Sequence, residues 1–135
     1  MRQTSPRNPQ LLLKLNCFLE STMNIIRLQG KEVMSSKAIV GVTEIGYRSL
    51  KFNSTLNMPC DRQFQVKLEI PLEKHRILVE GQLMAATDLG DYYEYEMLFG
   101  LEEAERMVWV NEIRHLALKQ NYRFWQAWLG YGVRG

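Results

Sequence analysis

The chain is short of the residues that usually announce chemistry. It has only two cysteines and two histidines. Cys17 and Cys60 cannot make a structural zinc site by themselves, and His75 and His115 show no ligand spacing. Both cysteines lie in segments that read as strands, so they are expected to be buried, reduced thiols. Long apolar runs are also missing. The stretch "LLLKLNCFL" is broken by Lys14 and Asn16, and nothing approaches the roughly 18 apolar residues of a membrane span. The polar opening "MRQTSPRNPQ" lacks the pattern of a signal peptide. A cytoplasmic protein with no membrane insertion is expected. An excess of one charge is absent too. The formal net charge is +2, with acidic and basic residues interspersed, which speaks against a nucleic-acid polymer as partner.

Catalytic patterns are missing as well. The sequence has no Gly-x-Ser-x-Gly, no phosphate-binding glycine-rich loop and no paired-histidine motif. Glu94 and Glu96 would share one face of a strand, but the alternate positions are apolar, so they read as solvated outer-face residues. His75 sits between Lys74 and Arg76, a cationic setting that suits neither a base nor a metal ligand. His115, late in a helical stretch, reads as a surface residue that complements the helix dipole. The chain is not expected to be an enzyme, and no cofactor or metal is implied.

What is present is an ordinary globular balance of 46% hydrophobic and 24% charged residues over 135 positions, enough for one domain with a proper core. Residues 1–10 read as a flexible arm. Residues 11–100 are dominated by strand-like runs: "LLLKLNCFLE", "TMNIIRLQG", "KAIVGVTEI" and "YRSLKFN", the last two hinged on a turn at Glu44, Ile45, Gly46 and Tyr47. "NSTLNMPCD" is a loop. In "RQFQVKLEIP", Phe64, Val66, Leu68 and Ile70 alternate with polar residues. "HRILVEGQLMAATD" and "DYYEYEMLFG" are separated by Leu89 and Gly90, a hairpin signal. Tyr93, Tyr95, Met97 and Phe99 share a face of the last run.

After Gly100 the period changes. "LEEAERMVWVNEIRHLALKQ" has no Gly or Pro, acidic residues early and basic residues late. Trp109, Val110, Ile113, Leu116 and Ala117 form a helical apolar stripe. Met107, Val108 and Leu118 lie off it and suggest a second contact surface. The tail "NYRFWQAWLGYGVRG" crowds Tyr122, Phe124, Trp125, Trp128, Leu129 and Tyr131 together. Either the helix continues and these rings finish the core, or they form a partner or self-association surface. Residues 101–135 thus read as a closing helix and aromatic tail. The whole is expected to be mostly β, a small six- or seven-stranded antiparallel barrel with an amphipathic C-terminal helix.

The order of elements resembles the PilZ domain, the bacterial module that binds cyclic diguanylate (c-di-GMP). The likeness runs from the arm to about Gln120. It is carried by the body "MPCDRQFQVKLEIPLEKHRILVEGQLMAATDLGDYYEYEMLFG" and by the following helix, which is similar to that of flagellar-brake-type members. The family's ligand site has an Arg-x-x-x-Arg arm and an Asp/Asn-x-Ser-x-x-Gly turn. Guanidiniums fork onto phosphate or a guanine edge, and the glycine allows close backbone approach. In this sequence Arg2 and Arg7 are five apart rather than four. "TEIGYRS" puts Glu44 at the Asp/Asn position, Gly46 at the Ser and Ser49 at the Gly, with Arg48 as a further phosphate contact. Arg27 and Lys31 keep the Arg-x-x-x-basic spacing outside the arm.

The resemblance implies a PilZ-like regulatory domain in c-di-GMP signalling, serving motility, pilus or exopolysaccharide control. Each lost hydrogen bond to a charged group costs about 1–3 kcal/mol, or roughly 5- to 150-fold in affinity. The departures therefore imply weakened c-di-GMP binding and a role exercised through protein contacts. Those contacts would be made by Met107, Val108, Leu118, Phe124, Trp125 and Trp128. The alternative is a working sensor that uses Arg2, Arg7, Glu44, Gly46, Arg48 and Ser49 in altered geometry. An unrelated nucleic-acid-binding barrel is disfavoured, because no strand interleaves aromatic and basic residues.

Overall fold

Alternation of apolar and polar residues dictates a sheet that is buried on one face, and the sheet closes on itself. The computed structural model describes residues 13–134, with side chains as far as residue 120. Its elements are β1 (Leu13–Leu28), β2 (Lys31–Glu32), β3 (Ala38–Ile45), β4 (Ser49–Ser54), β5 (Gln65–Pro71), β6 (Arg76–Asp88), β7 (Tyr93–Phe99) and the helix α1 (Glu103–Arg134). All pairings are antiparallel, in the order β2-β1-β3-β4-β7-β6-β5, and β5 pairs again with β1. Six strands thus form a closed barrel, and β2 is a short addition on the edge of β1. The expected barrel with a single C-terminal helix is present.

Closure needs curvature, and register shifts supply it. They fall between Lys14 and Leu19 and between Ile25 and Arg27 in β1, between Val42 and Glu44 in β3, and between Leu83 and Ala85 in β6. The inward set is the one that the alternation predicts. Val66, Leu68 and Ile70 of β5 and Tyr95 and Met97 of β7 are fully buried, with Phe64 and Phe99 nearly so. Val42, Leu50, Phe52, Val79 and Leu83 complete the layer.

Antiparallel order brings the start of β1, the β3–β4 turn, the β5–β6 turn and the end of β7 to one rim of the barrel. Helix α1 lies across that rim. Glu105 Oε1 accepts from the Glu102 N–H at 3.4 Å, one half of a capping box at the start of the helix. Trp109 and Ile113 are buried against the core, with Val108 and Leu116 packed beside them. Among the described residues, no helix is long and apolar enough to cross a membrane.

Several expectations need correction. The two expected runs are continuous over residues 13–28 as one sixteen-residue strand, because a bulge at residues 15–18 carries the chain through its break in apolar alternation. The turn after β3 falls at residues 46–48, since Glu44 and Ile45 still pair with Lys51 and Leu50. Both cysteines are exposed rather than buried. Cys17 lies in the out-of-register stretch, and Cys60 follows Pro59 in the loop between β4 and β5. Partial burial, and then the Asp61 carboxylate, hold the Cys60 thiol above its ordinary range, so it is no reactive thiolate at neutral pH. Arg114, His115 and Lys119 are mid-helix, because α1 runs on to Arg134 through Gly130 and Gly132.

Two tests follow from the barrel wall. A Cβ on Gly81 would run into the Leu98 backbone carbonyl, whereas one on Gly41 would meet only the Phe18 ring at 2.8 Å, and Phe18 is exposed. Gly81→Ala should therefore lower unfolding free energy by about 1–3 kcal/mol in denaturant titration, and Gly41→Ala should cost much less. The second test uses Tyr95. Its hydroxyl donates to Leu56 O at 2.6 Å and accepts from Met58 N at 2.8 Å, pinning the β4–β5 loop. Burial raises its phenol above the ordinary value of 10.0, outweighing the Met58 hydrogen bond that lowers it. With the folded pKa above the unfolded one, its contribution is complete below the unfolded value and is lost as pH rises through the folded one. Tyr95→Phe should flatten the alkaline limb of stability above about pH 10 and cost about 1–3 kcal/mol at neutral pH, since two loop groups lose their partner.

Candidate ligand site at the barrel rim

The β3–β4 turn is where the sequence places its ligand loop. Thr43 is skipped in the registers of β3 with both β1 and β4, and its hydroxyl donates to Lys51 O at 3.3 Å. Such bulges re-aim the residues that follow them. Glu44 is half-buried and its Oε2 lies 3.6 Å from Lys51 Nζ, so its carboxylate is already engaged. Gly46 is buried. Its N–H donates to Ser49 O at 2.7 Å and its carbonyl accepts from the Trp109 indole N–H at 2.9 Å. Ser49 is buried as well, opposite Leu98 of β7. Arg48 is exposed, and its carbonyl is tied to Phe99 N at 2.9 Å.

Among the described residues, positive φ occurs at Gln29, Gly30 and Gly90 and not at Gly46. The β1–β2 and β6–β7 hairpins use left-handed turn residues, and the β3–β4 turn does not. Gly46 is therefore not required by a left-handed φ, and its carbonyl is the acceptor for Trp109. The indole is fully buried and stands edge-on to Phe99, with centroids 5.4 Å apart at 88°.

Three further side chains seat the helix, at two more points. Glu112 is buried; its Oε1 accepts from Lys74 N at 3.3 Å and its Oε2 lies 3.1 Å from His75 Nδ1. His75 thus has an acidic partner, despite the cationic neighbours it has in sequence. Lys119 reaches Glu73 at 2.9 Å; this hydrogen bond, and then the Lys119 charge, hold the Glu73 carboxyl below its ordinary range. At the third point the Gln120 side chain accepts from Asn16 N at 2.9 Å and donates to Lys14 O at 3.2 Å.

Of the residues expected to bind a ligand, the structure brings Glu44, Gly46, Arg48 and Ser49 together at this turn. Arg2 and Arg7 lie outside the described residues. Of those expected to meet a partner, Met107 and Leu118 are strongly exposed, at 64% and 67%, and Val108 is half-buried against the core. Phe124, Trp125 and Trp128 fall on the helix beyond the described side chains. Sequence reasoning put Trp109 in the apolar stripe without an acceptor for its N–H, and it missed Glu112. Glu112 stands three residues after Trp109 and four before Leu116, a charge on the buried face that signals a specific partner. Among the described residues, no group of three or more His, Cys, Asp or Glu is arranged to hold a metal ion.

No family model and no curated protein matches the chain. Solved structures do. The chain is similar to the Bacillus subtilis inhibitor of motility, MotI/DgrA, with TM-score 0.57, 8% identity, and coverage of 87% of this chain and 53% of that one. The Borreliella burgdorferi PlzA protein in complex with c-di-GMP matches at TM-score 0.45 and 18% identity, over 85% of this chain and 53% of that one. The chain spans about half the length of either structure. At such identity the likeness to MotI/DgrA is one of fold.

The seat of the helix can be tested through its indole. Trp109→Phe removes the N–H together with part of the buried ring, which leaves Gly46 O without its donor and a small cavity beside it. The expected cost is about 1–3 kcal/mol, together with faster amide exchange along α1 and at residues 46–49.

Proposed function

We propose that this chain is a PilZ-like regulatory domain in which nucleotide binding at the β3–β4 turn is weakened and signalling runs through protein contacts. One observation carries the reading. The turn that would hold the ligand is occupied by the protein's own helix, through the Trp109 indole on Gly46 O. Around it Glu44 is paired with Lys51 and Ser49 is buried. A guanine edge or phosphate placed there would have to displace these contacts before making its own. The fold shared with an inhibitor of motility and the sequence resemblance to PilZ domains support a bacterial signalling role without enzymatic chemistry, in motility, pilus or exopolysaccharide control. The protein-contact surface is assigned to Met107 and Leu118, with Val108 at its margin, and to the stretch bearing Phe124, Trp125 and Trp128.

Isothermal titration of c-di-GMP into the wild-type protein and into Arg7→Ala tests this. The expected result is no saturation below about a millimolar, a free energy of roughly −4 kcal/mol. A saturable, Arg7-dependent signal at micromolar ligand would instead make the domain a working sensor. In sedimentation, concentration-dependent assembly weakened by Trp125→Ala or Trp128→Ala supports self-association, and a strict monomer at high concentration removes that form of the reading.

A further inference from the structure

The rim carries a second feature that the family's ligand signature does not account for. Between the β3–β4 turn and the first turns of α1 lies a cleft of about 330 Å³, lined by Tyr47, Arg48, Leu98, Phe99 and Arg106 together with Gly100 and Leu101. We propose that this cleft binds a mononucleotide-sized aromatic phosphate, with the phosphate between Arg48 and Arg106 and the ring against Tyr47 and Leu98.

Charge is the first reason. Two arginines line the cleft and no carboxylate does. Among the described residues, neither guanidinium forms an ion pair, although Lys37, Lys51, Arg76 and Lys119 each do. Arg106 has one long internal bond, from Nη2 to the carbonyl of Leu101, another residue of the cleft, at 3.4 Å. A guanidinium has five N–H donors, so most of its capacity stays open. Two such forks approaching from different elements suit the several oxygens of a phosphate better than the two of a carboxylate.

Shape and preorganisation are the second. The Arg48 backbone is fixed by Phe99 N, and Arg106 N is fixed in the helix by Glu102 O at 2.8 Å, so both stems rise from ordered backbone. Tyr47 packs against the core and Leu98 is 42% exposed, giving an aromatic and an aliphatic surface beside the cationic end. The volume lies at the low end of the usual range for small-ligand pockets, which fits one nucleotide rather than two. The cleft uses neither the arm nor Glu44 and Ser49, and Arg48 is the one residue it shares with those considered for c-di-GMP. Arg106 and Arg7 therefore separate the two readings.

The test is isothermal titration of GMP into the full chain, with ribose 5-phosphate, inorganic phosphate and guanosine as separate ligands. GMP should saturate by about a millimolar, guanosine should give no heat, and the two simpler phosphates should bind more weakly than GMP. Arg48→Ala and Arg106→Ala should each weaken GMP roughly ten- to hundred-fold, and Arg7→Ala should leave it unchanged. Both arginine side chains are exposed, so unchanged thermal midpoints are expected. Amide shift changes on GMP addition should centre on Tyr47, Gly100 and Leu101. Absence of GMP binding up to several millimolar, binding retained in the Arg48→Ala/Arg106→Ala double variant, or shifts centred elsewhere would each overturn the cleft. Binding abolished by Arg7→Ala alone would overturn it too, and would favour a ligand held by the arm.

Discussion

The hydrogen bond from the Trp109 indole to Gly46 O fixes the register of everything else at the rim. A fully buried indole needs an acceptor for its N–H, and a buried turn carbonyl needs a donor. Each satisfies the other. Rotating α1 by one residue would swing the indole by about 100° and leave both groups unpaired. With Trp109 seated, Glu112 comes round to the β5–β6 turn and Gln120, three turns on, meets the start of β1. The helix then closes the barrel mouth in one orientation.

The contacts that follow from this seat are polar, and they specify position more than they add stability. Burying the Glu112 carboxylate costs desolvation energy, which the Lys74 N–H and His75 offset. An apolar residue at 112 would pack as well but would not distinguish the β5–β6 turn from its neighbours. Gln120 does the same at the other side. Its amide presents an acceptor and a donor to the backbone of Asn16 and Lys14, in the stretch where β1 leaves its register with β3. It substitutes for a strand neighbour where the ladder is interrupted.

This arrangement explains what could be read from residues alone. The inward faces of β5 and β7 were legible, because strict alternation has one interpretation on a half-buried sheet. So was the stripe of Trp109, Ile113 and Leu116. The bulge in β1 was not, because Asn16, Cys17 and Phe18 interrupt the alternation and look like a strand end. The same interruption defeated the expectation of a buried Cys17. At the β3–β4 turn, motif comparison read Gly46 as a lost hydroxyl. Its role as the docking point of an indole sixty-three residues away depends on tertiary placement, which spacing does not carry. His75 and Glu112 escaped for the same reason, being thirty-seven residues apart.

The two sides of the β3–β4 turn have opposite thermodynamic consequences. A ligand that needs Gly46 O or the buried Ser49 competes with the helix for the same groups, so its binding free energy is reduced by the cost of unseating Trp109. By reciprocity, such a ligand once bound weakens the seating of the helix by the same factor. A ligand lodged between Arg48 and Arg106 bridges the turn and the helix. It gains both contacts only when the helix is docked, and so it shifts the population towards the closed rim. If the two proposals hold, a loop that opposes one anion and a cleft beside it that favours another would need no separate moving parts. Both signs of coupling would then arise from a single helix resting on a single turn, with the direction of the response set by which face of that turn a ligand takes.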